Sequence, residues 1–223
     1  TQGPKVPEFE NKVKAFVGSK YAFAMNSATS SLHIACLALG LNKGDYLWTS
    51  SNSFVASANC GVYCGAKVDF VDIDPISYNM DMKILKKKLE DAKKNNCLPK
   101  IIIPVHMAGQ SCDMKTLKKL SQSYKFKIIE DASHGIGSKY KNKYVGCCEY
   151  SDITVFSFHP VKIITTGEGG VATTNDKKLA KKLNILRTHG ITKDNKEMLN
   201  NSHGPWYFEQ LELGYNYRMT DIH

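Results

Sequence analysis

The sequence predicts an α/β fold whose mostly parallel central sheet is covered by helices on both faces. Short apolar, β-branched or aromatic runs alternate with helical stretches along most of the chain, and chemically unusual residues follow directly after those runs. With 223 residues and 42% hydrophobic content, the chain can bury a sizeable core. It has no internal repeat, low-complexity tract or Ser/Gly-rich linker, so its body reads as one domain.

The elements follow in order. Residues 21–25 read as a strand, and the apolar stretch 28–39 reads as a helix stopped by Gly40. A strand at 46–49 leads to a helix at 54–64, and a strand at 67–71 to a lysine-rich helix at 82–94. The run 101–105 is a strand, 114–124 a helix, and 127–130 and 153–156 are further strands. In such a sheet, ligands bind outside the carboxyl ends of the strands. The residues to inspect are therefore 26–29, 50–54, His106, 131–134 and 157–162.

Composition narrows the function. The formal charge of +9 comes largely from lysines on helix-like segments, which usually form a solvated face and also attract acidic ligands. No nucleic-acid motif accompanies the charge, and the aromatics are not interleaved with the basic runs, so nucleic acid is not an expected partner. The longest apolar stretches fall far short of the ~20 residues a spanning helix needs, so no membrane segment is expected. The start of the chain does not resemble a secretory signal, and the expected setting is cytoplasmic. Seven cysteines fit neither a disulfide framework nor paired zinc knuckles. Cys60 and Cys64 stand one helical turn apart without a second ligand pair, and no metal is expected.

Three positions suggest chemistry. Ser27, Ala28 and Thr29 stand between a strand and a helix, where free N–H groups and the helix dipole favour a phosphate; Ser27 as a plain helix cap is the alternative. Asp131 follows a strand and should face the crevice, opposite a cationic group such as a protonated pyridine nitrogen, or in a salt bridge or turn cap. Lys162 follows an apolar strand and precedes the Gly167–Gly170 cluster; near a phosphate and a cationic ring its amine would have a lowered pKa suited to Schiff-base chemistry, while a surface lysine is the alternative. His106 directly follows a strand, where contact with cofactor or substrate and a structural hydrogen bond are both open.

Several blocks together resemble the DegT/DnrJ/EryC1/StrS group of sugar aminotransferases that use pyridoxal 5'-phosphate (PLP). They are Thr-Gln-Gly-Pro at 1–4, Asn-Ser-Ala-Thr-Ser-Ser-Leu at 26–32, Pro-Val-His-Met-Ala-Gly at 104–109 and Glu-Asp-Ala-Ser-His at 130–134. Phe-Ser-Phe-His-Pro-Val-Lys at 156–162, Thr-Gly-Glu-Gly-Gly at 166–170, Arg-Thr-His-Gly at 187–190 and Leu-Gly-Tyr-Asn-Tyr-Arg-Met-Thr-Asp-Ile at 213–222 complete the set. They run in the family's order over nearly the whole chain.

The resemblance implies the large domain of a fold type I, aspartate aminotransferase-like PLP transferase. It implies that Lys162 is the Schiff-base lysine, Asp131 the partner of the pyridine nitrogen and His134 a ring stacked on one face of PLP, with Phe54 on the other side. Ala28 and Thr29 with Ser157 match the phosphate cup, joined by Ser27 at the same turn. Asn216 matches a residue supplied by the neighbouring subunit of a homodimer, and Thr1 a contact to the sugar. Residues 1–15 are then an N-terminal segment near the substrate and 16–223 the PLP-binding large domain, with the small C-terminal domain absent from this chain. The implied amino donor is L-glutamate. Residues 156–170 resemble the subgroup that aminates C4 of a UDP-linked 4-keto-6-deoxy-N-acetylhexosamine on the way to pseudaminic acid; other nucleotide-linked 3- or 4-keto sugars are the alternative.

Three rival readings fare worse. Gly135-Ile136-Gly137 lacks the third glycine and the following helix of a dinucleotide fingerprint. A dehydratase on the same scaffold would carry histidine in place of Lys162. A non-catalytic sensor would not need Lys162, Asp131 and the phosphate-cup residues together.

Overall fold

The computed structural model describes residues 2–200 and 202–223; Thr1, named above as a substrate contact, lies outside the described residues. A helix α1 (Lys5–Val17) leads into β1 (Tyr21–Met25), α2 (Ala28–Ala38), β2 (Tyr46–Ser50), α3 (Ala56–Tyr63) and β3 (Lys67–Val71). Then come α4 (Met82–Lys94), β4 (Ile101–Ile103), α5 (Met114–Tyr124) and β5 (Lys127–Asp131). A short hairpin, β6 (Lys139–Tyr140) and β7 (Lys143–Tyr144), precedes β8 (Ile153–Ser157), β9 (Gly170–Thr174) and α6 (Lys177–Leu186). A second two-stranded ribbon pairs β10 (Ile191–Thr192) with β11 (Glu209–Gln210).

The main sheet has seven strands in the order β1-β9-β8-β5-β4-β2-β3. β9 runs antiparallel to both neighbours, while the β8-β5, β5-β4, β4-β2 and β2-β3 ladders are parallel. The expectation of a mostly parallel sheet is met. Side chains alternate across its two faces as the strand period requires. Ile101, Ile103 and Ile129 join the core beneath α2, α3 and α6, with Leu32, Ile34 and Leu183. Ile102 and Ile128 join the opposite core beneath α4 and α5, with Leu85, Leu89 and Leu117. A strand covered on both faces is apolar throughout, which is why Ile-Ile-Ile sits fully buried in β4.

Helix ends follow local chemistry. Asp81 accepts hydrogen bonds from the Lys83 and Ile84 amides at 2.6 and 3.1 Å and so starts α4. The α4 face carrying Leu85, Leu89 and Ala92 is buried, and its lysines are exposed except Lys88, which lies over the Trp48 ring. Gly40, with φ of 76°, ends the turn after α2 as expected.

The observed elements differ from the expected ones where backbone donors are missing or signals are weak. The strand expected over 101–105 stops at Ile103, because Pro104 has no N–H for the ladder and Val105 makes only an isolated bridge to Asp131. The helix expected over 54–64 is confined to Ala56–Tyr63. Helix α1, strand β9 and helix α6 are absent from the sequence reading. α1 buries only Val6, Val13 and Val17 and carries Pro7 in its first turn, which masks its period. β9 is built from small residues directly after a glycine cluster, where a loop is the natural reading. Among the described residues, no helix is long and apolar enough to cross a membrane.

Candidate active site

At the carboxyl ends of β5 and β8 lies a cavity of about 350 Å³ whose walls include Ser27, Ala28, Thr29, Phe54, Asp131, His134, Ser157 and Lys162. These sequence-predicted residues come from four separate segments, and the fold brings all of them together. A more open groove of about 400 Å³ near Asp74 and Tyr140 contains neither Asp131 nor Lys162.

One end of the cavity is formed by the start of α2. Ser27 caps the helix in extended backbone geometry, its Oγ accepting from the Ser30 amide at 3.1 Å. The cap reading of Ser27 is met, and the turn it orients has leading amides without an intrahelical acceptor, the feature that a phosphate would need. β9 packs so closely here that a Cβ on Gly170 would strike the Ala28 nitrogen and the Ser27 carbonyl. Glycine at 170 is thus what allows strand and helix turn to approach at the cup.

The opposite end is Asp131, the last residue of β5 and 4% exposed. Ser57 Oγ donates to Asp131 Oδ2 at 2.6 Å, while the Ser133 hydroxyl and amide donate to Oδ1 at 2.6 and 3.1 Å. His134 lies half-buried beside it. Burial and the Lys162 charge, partly offset by Asp131, lower the His134 pKa below its ordinary value. Its ring is therefore uncharged at neutral pH, which suits a flat packing surface. Phe54 lines the cavity too, though it is largely exposed.

Lys162 is carried by a loop leaving β8. The Phe158 amide donates to the Gly169 carbonyl at 2.9 Å, the Thr166 amide to the Phe158 carbonyl at 3.0 Å, and the Lys162 amide to the His159 carbonyl at 2.9 Å. These bonds close residues 158–169 into a loop that presents Lys162, half-buried, to the cavity.

Two sequence-predicted residues lie elsewhere. His106 was expected to face the crevice, but it is fully buried and absent from the cavity wall. Its Nε2 meets Glu130 Oε2 at 2.8 Å and its Nδ1 faces the Cys112 amide at 3.3 Å, so of the two readings the structural hydrogen bond is the one supported. The reason is that β4 ends at Ile103 before Pro104, so His106 does not stand directly at the strand end and its side chain packs into the interior. Asn216 is exposed, bridges Thr188 and does not line this cavity.

The sequence reading missed Ser57, Ser133 and Gly170. Ser133 had a usable signal, since an aspartate followed two residues later by a serine is a side-chain turn pattern. Ser57, a hydroxyl on the buried face of a helix, had none on its own. Among the described residues, no group of three or more His, Cys, Asp or Glu side chains is arranged to hold a metal ion.

An amine on a loop, a buried carboxylate across the cavity, a neutral ring and a helix start for an anion fit the parts of PLP: carbonyl, ring nitrogen, ring face and phosphate. The model of the DegT/DnrJ/EryC1/StrS aminotransferase family matches residues 1–223. The chain belongs to this family. Among curated family relatives, a UDP-4-amino-4,6-dideoxy-N-acetyl-beta-L-altrosamine transaminase of Campylobacter jejuni is 42% identical over all of this chain and 55% of its own length. PseC of Helicobacter pylori, an aminotransferase involved in pseudaminic acid biosynthesis, superposes with a TM-score of 0.86 at 33% identity, covering all of this chain and 56% of that one. A putative sugar aminotransferase of Streptococcus pneumoniae solved in its PLP form has a TM-score of 0.82 at 28% identity, over all of this chain and 57% of its own. The chain spans about half the length of the curated relatives it matches.

Proposed function

We propose that this chain is the cofactor-binding part of an aminotransferase that moves an amino group from L-glutamate to C4 of a UDP-linked 4-keto-6-deoxy-N-acetylhexosamine, with PLP as cofactor. The observation that carries this reading is the placement of Lys162 and Asp131 in one cavity beneath the start of α2. Bound there, PLP supplies a carbonyl that takes up the amino group and a ring that acts as an electron sink.

The chain's own residues have distinct tasks. Ala28, Thr29 and Ser157 would hold the phosphate, and Ser27 fixes the turn that presents the amides. Asp131, as a carboxylate, would keep the ring nitrogen protonated. His134 and Phe54 would confine the ring from its two sides. Lys162 would bind the cofactor covalently and, once released, move the proton between the donor's α-carbon and C4′ through its Nζ. The net charge of +9 favours an approaching diphosphate.

The working unit in this reading is a homodimer. Phe54, Val161, Ile163, Ile164, Trp206 and Leu213 leave large apolar surfaces exposed. Asn216, outside its own cavity, would serve the site of the neighbouring chain. Mixing Lys162→Ala with Asn216→Asp subunits tests this, because a shared site regains activity in the hybrid; confirmed subunit exchange with no regained activity refutes it.

The substrate test is a panel of UDP-, GDP- and dTDP-linked 3- and 4-keto sugars offered with glutamate, with Lys162→Ala as the control. Turnover confined to the UDP-linked 4-keto N-acetylhexosamine supports the assignment. Preference for another sugar overturns it while leaving the cofactor chemistry intact, and full activity in Lys162→Ala overturns both.

A further inference from the structure

Asp131 is held more tightly than its neighbours in sequence require. Its backbone is already fixed, with its amide donating to the Pro104 carbonyl and its carbonyl accepting from the His106 amide, both at 3.0 Å. That leaves the side-chain torsion, whose carboxylate rotation has a broad and weakly defined minimum. The hydroxyl contacts from Ser57 and Ser133, both at 2.6 Å, have the length of charge-assisted O–H···O⁻ bonds. Ser57 is fully buried, and its Oγ also lies 2.7 Å from Ser53 Oγ. With the Ser57 proton on Asp131, the bond between the two serines forms with Ser53 as donor, in preference to its longer 3.2 Å contact with the Phe54 carbonyl.

A carboxylate offers about four acceptor sites, two on each oxygen. Ser133 fills both on Oδ1 with its hydroxyl and its amide, and Ser57 fills one on Oδ2. One site remains, and it is on the oxygen that Ser57 holds. We propose that Ser57 and Ser133 are positioning residues that lock Asp131 so that Oδ2 alone receives the cofactor's ring nitrogen, with Ser53 feeding the same relay. This rests on the PLP reading given above.

A merely structural pair of serines would do no more than offset the cost of burying the charge. A positioning pair also sets how firmly the ring proton is held, and hence how strongly the ring draws charge from its linkage to Lys162. In the purified, cofactor-loaded protein, Ser57→Ala is expected to lower kcat about tenfold with KM within about twofold, the loss of one bond to a charged group. The pH midpoint of the cofactor's visible band should rise by about one unit. Ser57→Thr, which keeps the hydroxyl, should restore the parent midpoint. Ser133→Ala should move it less, since its amide remains and its hydroxyl serves the distal oxygen.

Melting of the cofactor-free proteins separates folding from positioning. A lowered melting temperature in Ser57→Ala with unchanged midpoint and kcat overturns the proposal. If Ser57→Ala does not fold, Ser57→Cys keeps the volume while weakening the donor and is judged by the same midpoint. Persistence of the visible band in Lys162→Ala would sink the cofactor reading itself; loss of that band together with a parent-like Ser57→Ala would sink only the serine relay.

Discussion

Glu130 and Asp131 are adjacent on β5, almost equally buried, and each accepts three hydrogen bonds from the chain. They nevertheless occupy opposite worlds. Asp131 opens on a cavity of about 350 Å³, while Glu130 borders a space of about 10 Å³, room for no more than a water. Glu130 meets His106, Ser151 and Thr154, partners supplied permanently by the fold. The difference teaches that burial and hydrogen-bond satisfaction do not by themselves mark a functional carboxylate. What separates the two is the space each faces, and strand alternation opens only Asp131 onto the larger cavity.

The sharpest way to break this comparison is to neutralise each carboxylate in turn. Asp131→Asn should reduce turnover by about a hundredfold or more, because an amide does not hold charge at the ring nitrogen. Near-parental turnover would mean that the wrong carboxylate has been assigned. Glu130→Gln should do the reverse, costing about 2 kcal/mol in urea unfolding through its broken contacts with His106 and its hydroxyl partners. kcat of the folded protein should be unchanged, and a large fall in kcat at parental stability would erase the distinction.

A smaller effect concerns acid stability. Burial opposes ionisation of Glu130, but hydrogen bonds from His106, Ser151 and Thr154 outweigh it and lower its pKa below 4.5. The unfolded chain therefore takes up this proton at a higher pH than the folded one. The resulting stability is fully present above about pH 4.5 and is lost as pH falls through the folded value. Stability measured from pH 6 down to pH 3 should fall less steeply in Glu130→Gln than in the parent; parallel curves would show that this carboxylate does not contribute.

Much of this was legible in the sequence, for identifiable reasons. The β-strand runs are apolar because both sheet faces are covered, and α4 and α5 carry clean apolar stripes, so those elements stood out. Lys162, Asp131 and residues 27–29 were legible because each follows a strand end. His106 obeyed the same rule and misled, since Pro104 breaks the ladder before it and the side chain turns into the interior. The pairing of Glu130 with His106 could not be read, because it joins β5 to the segment after β4 across 24 residues through a contact that no local pattern encodes. Ser57 was hidden for a similar reason, reaching Asp131 across 74 residues.

The placement of β9 has a consequence for the order in which this protein can acquire its site during synthesis. β1, which leads into the turn at residues 27–29, has β9 as its ladder partner within the sheet, from Tyr21 opposite Thr174 to Met25 opposite Gly170. A nascent chain has thus made the turn at residues 27–29 long before the strand that anchors it leaves the ribosome. Such sequence-distant pairing is slow, because the entropy of closing the intervening loop is spent before the contact is gained. Until residue 174 is available, the first strand has neither edge in a sheet ladder and is open to wrong partners. Cofactor capture at the proposed site would therefore come late in folding and report completion of the sheet rather than nucleate it.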